Sequence, residues 1–66
     1  MQIEVNGKPR DIEEGRSVAD LLAELELDDR LIVVELNREI VRSTERAEVG
    51  LRPGDRVEIV HFVGGG

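Results

Sequence analysis

A single stretch of this chain has helical period, and it limits what the rest can be. In SVADLLAEL, Val18, Leu21, Leu22 and Leu25 recur at i, i+3, i+4 and i+7, while Asp20, Glu24 and Glu26 fall outside the stripe. So narrow a stripe can cover only one face of one partner layer. Ser17 with Asp20 three residues on predicts a capping box at the helix start, with aspartate in place of the more usual glutamate. Acidic residues late in the helix oppose its dipole and predict fraying by Glu26.

The segments around the helix have the period of strands. MQIEV alternates, with Met1, Ile3 and Val5 on one face. Asn6-Gly7 suits a type I′ turn, because both central positions need positive φ, and KPRDIE returns as a second strand. Pro9 has no amide donor, which places that strand at a sheet edge. LIVVEL, Leu31 to Leu36, is apolar on both faces like an interior strand. Asn37-Arg38 reads as a turn and Glu39-Ile40-Val41 as a short return, followed by a polar crossing, RSTERAEVG, with no clear period. Pro53-Gly54-Asp55 is a turn signal before the last strand, RVEIVHF. The order is β-β-α-β-β-β. Five strands with one helix on one face make an α+β fold of the β-grasp type, since the helical stripe needs a sheet face to bury against.

A chain of 66 residues builds one modest core, worth roughly 3–5 kcal/mol net, which disfavours a deep catalytic pocket. The expected layout is a domain over 1–63 and a flexible glycine tail over 64–66. The formal charge of −6 repels phosphate backbones and anionic lipid, so neither nucleic acid nor membrane is an expected partner. The same acidity serves solubility, and would steer a basic protein partner. The absence of cysteine removes disulfides and thiolate chemistry, and no zinc or calcium ligand cluster stands out. His61 is the sole imidazole, so no nucleophile–base pair is available and an enzyme is not expected. The carboxylate pairs Glu13-Glu14 and Asp28-Asp29 sit in turns and read as solvated surface. No apolar run reaches the roughly 20 residues of a membrane span, and Met1 leads straight into a strand rather than a signal region. The expected location is cytoplasmic.

Two features look functional. If Val57 and Ile59 face the core, Val60 and Phe62 lie on the uncovered side of the sheet, where together with Val63, Ile32 and Val34 they would form an apolar docking patch. The plainer alternative is that these side chains only pack among themselves. Beyond them, Gly64, Gly65 and Gly66 can extend up to roughly 10 Å. Residues without Cβ atoms pass through a narrow channel, and a glycine carboxyl is the least hindered one for chemistry. Such a tail suits insertion into another protein's active site, although a frayed end or an artificial linker would also read as glycine.

The whole chain resembles the ThiS family of ubiquitin-like β-grasp sulfur carriers. The resemblance is carried by the MQIEVNGK opening, the SVADLLAEL helix, the VVELNREIV hairpin and the PGDRVEIVHFVGGG close, with Gly65-Gly66 matching the family's terminal pair and Gly64 an additional glycine. It implies a sulfur carrier of thiamine biosynthesis that holds no cofactor permanently. An E1-like, ThiF-like enzyme would use ATP to adenylate Gly66, and a sulfur donor such as a cysteine desulfurase would convert it to a thiocarboxylate. Thiazole synthase, ThiG-like, would take the sulfur. A carrier without a thiol must hold its cargo on the terminal carbonyl. Two neighbouring readings stay open: a carrier like the small subunit of molybdopterin synthase, usually longer than this chain, and a conjugating modifier in which Lys8 is the only lysine.

Overall fold

The computed structural model describes residues 1–62 of the chain. Val63 and the glycines at 64–66 lie outside the described residues, as does the expected boundary between domain and tail. The elements run β1 (Gln2–Val5), β2 (Lys8–Asp11), α1 (Val18–Glu24), a 3-10 turn (Asp29–Leu31), β3 (Ile32–Leu36), β4 (Glu39–Val41) and β5 (Arg56–His61). The strands form one sheet in the order β2-β1-β5-β3-β4. β5 runs parallel to β1 and antiparallel to β3, and the outer pairs are antiparallel. This is a mixed sheet crossed by one helix, a β-grasp α+β fold. Pro9 sits on the edge strand β2, where its missing donor faces no neighbour.

The helix buries the expected stripe: Val18, Leu21 and Leu22 are buried against Ile3, Val34 and Val57. Each such side chain contributes about 1.5–3 kcal/mol by leaving water. Its first turn is fully paired. Val18 N–H donates to the Val49 carbonyl at 2.9 Å and Ala19 N–H to the Arg46 carbonyl at 3.0 Å. Asp20 N–H donates to Ser17 Oγ at 3.1 Å, while Ser17 N–H donates to Asp20 Oδ2 at 2.8 Å. The capping box therefore forms, and the polar crossing before β5 supplies the other acceptors. That crossing is bridged to the helix start at Ser17 and Gly50.

The helix stops at Glu24, earlier than the expected fraying point, and it stops by a defined motif. Glu26 N–H donates to the Ala23 carbonyl and Leu27 N–H to the Leu22 carbonyl, both at 3.1 Å, with Glu26 at φ 56°. This is the paired closure in which a left-handed residue follows the cap and the next apolar residue, Leu27, folds back onto the core. Holding a glutamate in that conformation costs about 1–2 kcal/mol relative to glycine.

Both hairpin turns serve the central strand. Asn6 and Gly7 take φ 50° and 79°, as the type I′ expectation requires, and Asn37 and Arg38 take 51° and 71°. β1 pairs with β5 only as far as Val57, so the Ile59 amide has no β1 carbonyl to meet. Asn6 Oδ1 accepts from it instead at 2.7 Å. On the other flank Asn37 Oδ1 accepts from Arg56 N–H at 3.0 Å.

Candidate functional site

β5 is both the last strand and the middle one, so the chain reaches its final residues from the centre of the sheet. Val57 and Ile59 point to the core, which puts Arg56, Glu58, Val60 and Phe62 on the face the helix leaves open. Phe62 N–H still donates to the Leu31 carbonyl at 2.8 Å, carrying the β3 pairing one residue past the strand. Val60 stands opposite Val33, and Ile40 stands opposite Glu35.

The open face carries an apolar patch, as expected, but its membership differs. Leu31, Ile40, Val60 and Phe62 are 52%, 68%, 58% and 59% exposed, and Val33 is half-buried among them. Ile32 and Val34, expected in the patch, are instead core residues at 3% and 0% exposure. The register explains the correction: Ile32 and Val34 pair with His61 and Ile59 on the helix side. LIVVEL is apolar on both faces and gives no phase by itself, but Glu35 does. A charged residue in that strand turns outward and takes Leu31 and Val33 with it. Ile40 was missed because it looked like ordinary strand filler; its exposure follows from the burial of Val41 beside it. Val63 and Gly64 to Gly66 fall outside the described residues.

The rest of the open face is charged. Glu35 and Glu58 lie directly opposite each other, a like-charge pair that weakens the sheet slightly. Arg56 Nε reaches Glu4 Oε2 at 3.2 Å. The apolar end is thus bordered by charge of both signs: Glu35 and Glu58 lie along the strands, while an open groove of about 510 Å³ beside Phe62, Val33 and Ile40 is lined by Arg30 and Arg42 together with Asp29. A partner with apolar anchors and a charged rim of both signs suits this surface.

The paired carboxylates Glu13-Glu14 and Asp28-Asp29 are exposed, as expected. His61 ends β5 exposed. Glu13 pairs with Arg16 at 3.2 Å. Asp28 caps the 3-10 turn by accepting from Arg30 N–H, and its carboxylate also holds the Arg30 guanidinium at 2.8 Å. Those Arg30 side-chain and backbone hydrogen bonds lower the Asp28 pKa to about 2. Among the described residues no helix is long and apolar enough to cross a membrane, and no group of three or more histidine or acidic side chains could hold a metal ion.

A β-grasp body with one open apolar face, whose central strand leads out into a glycine-rich end, defines the class of ubiquitin-like carriers. The profile of the ThiS family matches residues 3–66. The chain is 46% identical over 50 residues to the sulfur carrier protein ThiS of Bacillus subtilis, covering 76% of each. It also superposes on the crystal structure of the thiamine biosynthesis protein ThiS from Geobacter metallireducens, with a TM-score of 0.83, 34% identity and full coverage of both chains. Over its whole length it is 42% identical to a thiazole synthase of Paramagnetospirillum magneticum, of which it spans only 20%. The chain belongs to the ThiS family, the sulfur carriers of thiamine biosynthesis.

Proposed function

We propose that Gly66 is the reacting residue and that the folded body presents it without performing chemistry itself. A carboxylate is a poor electrophile, so an E1-like enzyme first joins it to AMP from ATP and releases pyrophosphate. A persulfide on a sulfur donor such as a cysteine desulfurase attacks the acyl carbon and expels AMP. A second thiol then cleaves the sulfur–sulfur bond, leaving a thiocarboxylate on Gly66 and a disulfide on the donor side. The thiocarboxylate sulfur is a strong nucleophile, and thiazole synthase is the acceptor.

The observation that carries this reading is the course of β5, the central strand, which runs past the apolar patch and is followed in the sequence by the glycines. The stretch of the Paramagnetospirillum magneticum thiazole synthase that is similar to this entire chain supports thiazole synthase as a partner. Removal of Gly65 and Gly66 tests the reading: adenylation by the activating enzyme is lost while the body still folds. An unchanged rate of pyrophosphate release from the shortened chain would contradict it.

A further inference from the structure

Arg46 is the one charged residue buried among the described residues, at 4% exposure, and nothing in carrier chemistry calls for a guanidinium there. No carboxylate of the described residues lies within ion-pairing distance of it. Burying a cation without a counter-ion is costly, and an apolar side chain would fill the place more cheaply. Its hydrogen bonds indicate what it does. Nη1 donates to the Asp29 carbonyl at 2.6 Å and Nη2 to the Ile32 carbonyl at 3.1 Å.

Those two carbonyls stand on either side of Leu31, whose own carbonyl accepts from Phe62 N–H at 2.8 Å. The backbone of Arg46 is meanwhile fixed from the other side, since its carbonyl accepts from Ala19 N–H in the first turn of the helix. The planar guanidinium fork therefore ties the helix start to the segment that holds the last described residue of the chain. A point-like ammonium could reach one of the two carbonyls but could not bridge them with the same geometry.

We propose that Arg46 is a positioning residue for the reacting end: by clamping the backbone on both sides of Leu31, it fixes the acceptor for Phe62 and so anchors the point from which the sequence continues to the glycines. This rests on the reading of Gly66 as the reacting end. Arg46 touches no reacting atom, and its effect is on how often the tail enters the activating enzyme correctly aligned, where small misplacements have large effects.

The test uses the full chain with Arg46→Met and Arg46→Lys, reading amide hydrogen exchange and the kinetics of adenylation together. In Arg46→Met, exchange at Phe62 should quicken by about tenfold more than at Val57 and Ile59, which report the core. The kcat of pyrophosphate release should fall by about 10–100-fold with KM held within about twofold, because the apolar patch is still present. Arg46→Lys should shift both readings the same way by less, and it carries the test if the methionine variant does not fold. Exchange at Phe62 that only keeps step with the core overturns the proposal, as does lost protection with unchanged kcat. A wild-type chain that is never adenylated would instead contradict the carrier reading, and the exchange data would still decide whether the clamp exists.

Discussion

Two aspartates show how much local chemistry the residues set by themselves. Asp20 accepts from the Ser17 amide, and that backbone bond, followed by the Ser17 hydroxyl, lowers its pKa below 3.8. Asp28 is lowered to about 2 by Arg30. A group whose folded pKa is depressed stabilises the fold above its unfolded pKa, and that contribution is lost as pH falls through the folded value. The helix cap and the 3-10 turn should therefore stay intact down to pH 3.8 and loosen below it. Carboxyl titration by NMR should give midpoints below 3.8 for Asp20 and about 2 for Asp28. Midpoints at the ordinary value would contradict the capping geometry. The Ser17–Asp20 pair was legible in the sequence because its signal spans three residues. Arg46 was not, because a charged residue in a polar run ordinarily faces water, and its burial depends on carbonyls 14 and 17 positions away.

Among the elements, β3 and β5 decide which face can dock. The alternation in RVEIVHF set the phase of β5 correctly, with Val57 and Ile59 buried and Val60 and Phe62 exposed. The phase of β3 followed from its pairing with β5, which apolar composition on both faces does not reveal. The patch that results, Leu31, Val33, Ile40, Val60 and Phe62, lies outside the core and can be altered without unfolding the chain. Phe62→Ala and Ile40→Thr, the latter keeping a β-branched residue opposite Glu35, should each weaken binding to the activating enzyme by about 10-fold or more. Thermal stability should change by no more than about 0.5 kcal/mol. Calorimetric titration beside a melting curve separates the two effects; undiminished affinity in both variants would remove the patch from the interface.

At the scale of the whole molecule, strand count, helix count and the edge position of β2 could all be read from the sequence, because turn chemistry at Asn6-Gly7 and Pro53-Gly54 punctuates it clearly. The sheet order could not. Placing the last strand in the centre depends on a parallel pairing between β1 and β5, residues at opposite ends of the chain. That placement gives the molecule its direction: a rigid body behind, and an exit beside an apolar face. The central claim is that sulfur rides on the carboxyl of Gly66. The most direct measurement is the intact mass of the full chain before and after incubation with ATP, the activating enzyme and a sulfur donor, with fragmentation to place any change. The account predicts one sulfur-for-oxygen exchange located at Gly66. An unchanged mass, or sulfur found on any other residue, would contradict it.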